Sequence, residues 1–313
     1  RAGEMGKGFA VVADEIRNRR ETLDAFTDGA VRFLFGLGKK MLLANQLGLL
    51  ADQVYATRPE FLTTALAWLG AAAYTGQVYF DFSGYSDMAI GLGRMFGFHF
   101  LENFNYPYLS QSVTEFWRRW HISLSTWFRD YLYIPLGGNR CAHWKHIRNI
   151  LVVWALTGLW HGAAWNFLCW GLYFGLLLLG EKYGWGRILE RAPAALRHLY
   201  AMVLIVVSWV LFRAETLDYA VRFLQAMAGF AQGGLTDGRT TYYLLEFRWE
   251  LLLAIPAAMP VKSWLQNWLE SKSGAAAQAL LAWGPKLIAL GTFGLSFLRL
   301  VSSSFNPFIY FRF

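Results

Sequence analysis

The stretch NILVVWALTGLWHGAAWNFLCWGLYFGLLLLG, residues 149–180, runs for thirty-two residues without a formal charge. A helix crossing ~30 Å of hydrocarbon needs only ~20 residues. The run is too long for one span, and Gly158, Gly162 and the region of Asn166 offer places to bend or break it. Two helices, or one broken helix, are expected. Upstream, Phe61 to Phe80 is twenty uncharged residues between Glu60 and Asp81 and reads as a transmembrane helix. Downstream, His198 to Phe212 is shorter, but it extends through the stem of Arg213 and the residues before Arg197, because long cationic side chains snorkel to the interface. Leu251 to Val261 carries two prolines, and Ala275 to Val301 is interrupted by Lys286 and Arg299. One or two further buried or tilted helices are expected there. Gly29 to Tyr55, with Lys39, Lys40 and Asp52 among apolar residues, reads as an interfacial or bundle-covering helix.

Composition points the same way. Of 313 residues, 56% are apolar and 16% charged, against roughly 45–50% and 25% in soluble domains. Aromatics reach 18%, which suits interfacial and lipid-facing surfaces and excludes disorder, collagen and a small stapled scaffold. The formal charge of +8 fits positive-inside loops better than nucleic-acid affinity. Arg140, Lys145 and Arg148 precede the long run, and Lys182, Arg187, Arg191 and Arg197 follow it. A down-and-back helix pair leaves both clusters on the cytoplasmic side. Cys141 and Cys169 are the only cysteines, too few and too far apart for a disulfide framework or a thiolate metal site. The expected class is all-α, a polytopic integral membrane protein. The chain opens at Arg1 with no secretory signal pattern, as a fragment or a fusion does.

Two histidines sit in settings that need explaining. His161 lies inside the long run, where a titratable side chain is expensive and is a functional-site candidate. Trp154, Gly158, His161 and Trp165 recur at spacings of four, three and four, so one continuous helix places them on a shared face. A neutral histidine hydrogen-bonded in the bundle and a catalytic one fit these features equally. His121 follows Ser112-x-x-Glu115, a capping box that starts a helix expected to run to about Tyr131. On that helix His121 shares a face with Trp117, Leu124 and Phe128, and structural packing is a rival to chemistry. Arg118 and Arg119 lie within reach of Glu115 and suit either phospholipid headgroups or a substrate phosphate. The cluster Asp81-Phe82-Ser83-Gly84-Tyr85-Ser86-Asp87 reads as irregular polar backbone at a span end, either a cavity wall or an interfacial turn. Metal binding by Asp81 and Asp87 is a weaker alternative.

Several ordered motifs resemble one family. Tyr79 to Gly91, Glu102-Asn103-Phe104-Asn105-Tyr106-Pro107-Tyr108, Glu115 to Ser125, Gly137-Gly138-Asn139-Arg140 and Gly158-Leu159-Trp160-His161-Gly162 are similar to the membrane-bound O-acyltransferase family, in particular its alginate O-acetylation branch. The resemblance covers about residues 21–313, including Phe308-Ile309-Tyr310-Phe311-Arg312-Phe313 at the end. It implies a multi-helix bundle around a central tunnel, of which this chain carries the C-terminal part without the first membrane helices. It also implies His161 as the catalytic histidine and His121 as a second histidine near the tunnel. Asn105 and Asp87 match as motif positions only. The implied activity is transfer of an acetyl group from a cytoplasmic donor, acetyl-CoA, toward an exopolysaccharide hydroxyl or a periplasmic carrier. No bound cofactor or metal is implied. The implied partners are periplasmic polysaccharide acetylation proteins and the lipid bilayer, with no nucleic acid, in a multi-pass protein of the bacterial inner membrane. Arg1 to Asn18 resembles the signalling tip of methyl-accepting chemotaxis receptors, and residues 1–20 are expected to be a leader left by a fusion or assembly. The competing classes are a transporter of acyl groups or polymer that does no chemistry, and a hybrid chemotaxis protein.

Overall fold

A computed structural model describes residues 15–272 and 274–302, and among them there is no strand. Residues 1–14 of the chemoreceptor-like leader and the terminal motif at 308–313 lie outside the described residues. Thr22 starts the first long helix, α1 (Leu23–Gly38), by accepting the Ala25 amide on its hydroxyl at 3.1 Å. A π-helical turn over Lys39–Ala44 leads into α2 (Asn45–Tyr55) without a break. The antiparallel partner is α3 (Thr64–Met95), opened by Thr63, whose hydroxyl accepts from Leu66.

The α1–α3 contact is set by glycine. A Cβ on Gly36 would lie 2.6 Å from the Gly84 carbonyl oxygen, and one on Gly84 would lie 2.8 Å from the Gly36 carbonyl oxygen. Gly29 and Gly91 meet in the same reciprocal way, each at 2.6 Å. Both helices thus repeat glycine at seven residues, and their backbones touch where any side chain would hold them apart. The segment expected to cover the bundle is instead part of its interior, with Leu47, Leu50, Ala51 and Val54 buried against α3.

The rest of the bundle is built around one hairpin. After α4 (Val113–Arg119) and α5 (Ile122–Phe128), the 149–180 run forms α6 (His143–His161) and α7 (Trp165–Tyr183), broken at Gly162-Ala163-Ala164. The break expected from the glycines is therefore present. Here too glycine sets the spacing: a Cβ on Gly171 would lie 2.2 Å from the Trp154 carbonyl oxygen, and one on Gly158 2.3 Å from that of Phe167. Lys182 and Tyr183 at the end of α7 reach His146 near the start of α6, so the cationic loops before and after the hairpin share one end. A short α8 (Gly186–Arg191) precedes α9 (Ala194–Arg213), which packs on α3 and α7. Four smaller helices, α10 (Leu217–Gln225), α11 (Gly238–Glu246), α12 (Arg248–Ala257) and α13 (Val261–Glu270), lead to α14 (Ala275–Ser302), whose Leu287, Leu290, Leu295 and Leu298 are exposed.

Among the described residues two helices qualify as membrane spans by length and apolarity, α9 and α14. The first agrees with the span expected to end at Phe212. The Phe61–Phe80 expectation differs in detail, because residues 59–61 form a 3₁₀ turn and the helix runs on to Met95. Asp81 to Asp87 is consequently regular helix, not the irregular backbone its polar residues suggested. Its carboxylates are neutralised from the side: Lys40 reaches Asp81 at 2.5 Å, and Lys39 and Arg32 reach Asp87 at 2.7 and 2.9 Å. A charge paired across a helix contact does not have to interrupt the helix that carries it.

The glycine seam makes a direct prediction. Gly84→Val forces a side chain against the α1 backbone and costs about 1–3 kcal/mol, read as a lower melting temperature and a smaller monodisperse fraction in detergent. Gly291→Ala in α14, where nothing lies within 4 Å of the added Cβ, stays within about 1 kcal/mol of the parent.

Candidate active site

The helix expected from Ser112 to Tyr131 begins as its capping box indicates. The Ser112 hydroxyl accepts the Glu115 amide at 2.9 Å, while the Glu115 carboxylate turns back to the Gln111 amide, one residue earlier than the usual reciprocal bond. A second carboxylate, Glu181 from α7, accepts the Val113 and Thr114 amides at 2.7 and 2.8 Å. Two acids at one helix start suit its exposed amides and dipole. The helix then stops at Arg119. His121 has φ 44° and ψ 55°, a left-handed conformation that costs a non-glycine residue free energy and that breaks α4 from α5. The proposed common face with Trp117, Leu124 and Phe128 therefore does not exist as one stripe.

A loop from the end of α3 holds the break in place. Asn103 accepts the Ile122 amide on its backbone carbonyl at 3.0 Å, and the Asn105 amide donates to the Arg119 carbonyl at 2.9 Å. Arg119 also donates to the Asn105 carbonyl, and Glu115 holds its guanidinium. In between, the Asn103 side-chain oxygen accepts from the Ser123 amide at 3.1 Å and from the Ser123 hydroxyl at 3.0 Å, and lies 3.3 Å from His121 Nδ1. Tyr106, on the same loop, is the other non-glycine residue with positive φ among the described residues. Asn105, the motif position recognised in the sequence, takes part through its backbone; Asn103, two residues earlier, was missed although it stands in the same motif.

The structure brings His121 and His161 to the same indole, that of Trp160. The Trp160 ring centroid is 6.3 Å from that of His121 and 4.9 Å from that of His161. Phe82 of α3 meets His121 edge-to-face at 4.6 Å. His161 is the last residue of α6, and Trp170 and Phe212 stand edge-on to it at 5.0 and 5.1 Å. Trp165 is not on that face; it lies beyond the helix break and is exposed. Among the described residues no group hydrogen-bonds the His161 ring, which is half-buried. The bundle thus surrounds this imidazole with aromatic side chains.

A cavity of about 800 Å³ opens between α4–α5 and the α6–α7 hairpin. Along α6 it is lined by His146, Ile150, Val153, Trp154 and Thr157, which follow one face of the helix to within one turn of His161. Its lining also mixes four cations, Arg118, Arg129, Lys182 and Arg197, with three acids, Glu115, Glu181 and Glu190. Arg118 and Arg197 form no ion pair among the described residues. Hydrogen bonding to Asp130 raises the Arg129 pKa above its ordinary value, so its charge is permanent. His146 is buried there in a network that the sequence did not suggest. Lys182 Nζ, a donor, lies 3.0 Å from His146 Nε2, which must therefore be the acceptor, and Nδ1–H donates to the Tyr183 hydroxyl at 2.7 Å. The Tyr133 hydroxyl lies 2.8 Å from the same Nε2. Fifteen residues of helix separate His146 from His161, about 22 Å at 1.5 Å per residue. Among the described residues no group of three or more metal-ligating side chains is assembled, Asp81 and Asp87 included.

The sequence profile of the membrane-bound O-acyltransferase family matches residues 49–216, which include both histidines, the Asn103 loop and the hairpin. A probable alginate O-acetylase of Azotobacter vinelandii is 43% identical over 97% of this chain and 66% of its own length. One from Pseudomonas aeruginosa is 49% identical over 73% of this chain and 44% of its own length. A peptidoglycan O-acetyltransferase of Helicobacter pylori is 40% identical over 64% of this chain and 38% of its own length. The chain spans between about two fifths and two thirds of the length of these relatives.

The left-handed residue at the centre of the site supplies its own test. Because glycine takes this conformation without a Cβ penalty, His121→Gly is expected to retain about 1 kcal/mol more stability than His121→Ala, measured as the difference in melting temperature between the two variants in detergent.

Proposed function

The chain belongs to the membrane-bound O-acyltransferase family, and from that premise we propose that it moves an acetyl group from a cytoplasmic thioester, acetyl-CoA, toward a hydroxyl of an exopolysaccharide of the alginate kind or of a periplasmic carrier. The observation that carries this reading is the pair of imidazoles gathered at Trp160, one of them without a hydrogen bond to its ring among the described residues. His161 acts as general base. A lone pair of its ring takes the hydroxyl proton as that oxygen attacks the thioester carbonyl carbon. A carbon–oxygen bond forms, the carbon–sulfur bond breaks, and the proton passes to the departing thiolate to give the free thiol. A positioned base of this kind contributes ~10²–10⁴-fold. His121 orients the acyl group or polarises its carbonyl, and the aromatic walls exclude water that would weaken those contacts and hydrolyse the donor.

The α6 cavity is the proposed donor path. Arg118 and Arg197, which line it and form no ion pair among the described residues, suit the phosphates of a nucleotide thioester, and its apolar side, along Ile150, Val153 and Trp154, suits an extended arm whose reactive end must arrive beside His161. The proposed chemistry uses no bound cofactor, since the donor is a substrate. In the proposed orientation the loops at both ends of the α6–α7 hairpin face the cytoplasm of a multi-pass protein in the bacterial inner membrane, and His161 lies deeper, on the way to the periplasmic acceptor. Periplasmic polysaccharide acetylation proteins are the proposed recipients of the acetyl flux.

Two measurements test the reading. Alkaline carbonate extraction of expressing membranes is expected to leave the protein in the pellet; release into the supernatant contradicts a multi-pass protein. His161→Ala is expected to abolish O-acetylation of the polymer at unchanged protein abundance, and His161→Gln, which keeps hydrogen-bonding capacity without a useful base near pH 7, is expected to be equally inactive. Wild-type acetylation by His161→Gln rules out general-base catalysis at this position and favours a transporter that does no chemistry.

A further inference from the structure

The Asn103 side chain can be oriented without ambiguity. The Ser123 backbone amide is obligatorily a donor, and it points at one Asn103 side-chain atom at 3.1 Å, so that atom is the carbonyl oxygen. The amide nitrogen then faces the Ser86 hydroxyl at 3.3 Å, where it donates. His121 Nδ1, 3.3 Å from the same carbonyl oxygen, has to carry a hydrogen. The Ser123 hydroxyl, which donates to Asn103, presents only a lone pair to Nδ1 at 3.4 Å, in agreement. Neutral imidazole has one N–H, and here it is spent inward.

We infer that Asn103 is a positioning residue that locks His121 in the Nδ1–H tautomer and so turns a lone pair on Nε2, not an N–H, toward the reacting groups. Nε2 makes no hydrogen bond among the described residues. The inference rests on the proposed placing of His121 in the active site and gives it a different role there. A neutral imidazole with a bare Nε2 cannot donate to a thioester carbonyl oxygen, so His121 does not polarise the acyl group. It accepts a hydrogen bond, and the reacting partner with a hydrogen to give is the attacking hydroxyl. His121 holds that hydroxyl while His161 takes its proton. The left-handed backbone at His121 belongs to the same device, because Asn103 grips the two residues after it, Ile122 and Ser123, while Asn105 of the same loop holds the Arg119 carbonyl before it. Functional side chains held in uncommon backbone conformations by surrounding bonds are a recurrent feature of active sites.

The groups around the ring permit a pH test. Phe82 and Trp160 are uncharged, and His161, at the same indole, is a titratable neighbour whose charge disfavours protonation of His121 in every variant alike. Glu102 and Asp87 are engaged by Arg32, and Asp87 also by Lys39; Glu115 holds Arg119, and Asp130 holds Arg129. Arg118 lines the cavity, in whose lining neither histidine of the site takes part. A carboxylate at position 103 is then the dominant change that His121 would feel.

The test measures acetyl transfer from acetyl-CoA in membrane vesicles carrying the protein, at equal protein abundance and across pH, for His121→Ala, Asn103→Leu and Asn103→Asp. Asn103→Leu removes the acceptor and is expected to lose about a hundredfold in rate, as His121→Ala does. Asn103→Asp keeps an acceptor for all three donors and is expected to regain activity at alkaline pH, with the acid limb of its profile moved up by about one pH unit, because the carboxylate favours the imidazolium that cannot accept. Wild-type activity in His121→Ala refutes the reading of His121 itself. A crippled His121→Ala beside a fully active Asn103→Leu overturns the positioning role alone. An acid limb unmoved in Asn103→Asp does so too, and that variant decides the question if Asn103→Leu fails to accumulate.

Discussion

Everything that holds the two histidines in place depends on helices approaching until their backbones touch. In a bilayer the lipid is as apolar as the side chains, so helices gain little from simple burial and associate through close van der Waals contact and polar bonds. Glycine supplies the contact. The Gly29–Gly91 and Gly36–Gly84 pairs bring α1 onto α3, and Gly158 and Gly171 bring α6 onto α7. The second contact places His161 at the end of α6 against Trp170 of α7, and the first places Arg32 and Lys39 over Asp87.

From that base the site is assembled by polar links that a distant reader of the chain would not connect. Arg32 holds Asp87 and also Glu102, which is the residue before Asn103. Ser86, beside Asp87, receives the Asn103 amide. The loop after α3 is therefore anchored twice to the α1–α3 pair before Asn103 reaches His121. Each link is exposed or half-buried and worth little alone; together they over-determine one loop conformation. A left-handed His121 survives because the loop holds the Arg119 carbonyl before it and the Ile122 and Ser123 amides after it.

Part of this was legible in the sequence, and the reason is local. An uncharged run of excessive length with glycines inside it must break, and it breaks at Gly162; a Ser112-x-x-Glu115 pattern must cap, and it does. His161 was singled out by the membrane cost of a titratable group, and both histidines by motif resemblance, and their roles remain the proposal made above. What the sequence hid was non-local. The end of α4 at Arg119 cannot be read from residues 112–131, which have good helical patterning, because the break is imposed by a loop eighteen residues away in sequence at Asn103. Polar residues in Asp81 to Asp87 suggested irregular backbone for a similar reason: their partners, Lys40, Lys39 and Arg32, lie on another helix, and only the fold brings them near. His146 escaped notice because its three partners come from residues 133, 182 and 183.

The charges on α1 and α3 also answer a question the glycines leave open. A seam that repeats every seven residues is degenerate: sliding α3 by seven residues, about 10.5 Å, still puts one glycine opposite another. The ion pairs are not degenerate. Under such a slip Lys40, buried in the native seam, would face Tyr74 or Met88 instead of Asp81, and Asp87 would leave both Lys39 and Arg32. A buried ion pair is weak evidence for stability, since the cost of taking both charges from water offsets most of their attraction, whereas leaving one partner alone costs about 3–5 kcal/mol. The Lys40–Asp81 pair therefore acts against the wrong register more than in favour of the right one. The π-helical turn over Lys39–Ala44 serves the same end, because the extra residue in the turn lets adjacent lysines reach two aspartates six positions apart. Glycine decides how close the helices come, and charge decides where along each other they stop; without the second decision Arg32 would not meet Glu102, and the loop that carries Asn103 would have nothing to hold it against His121.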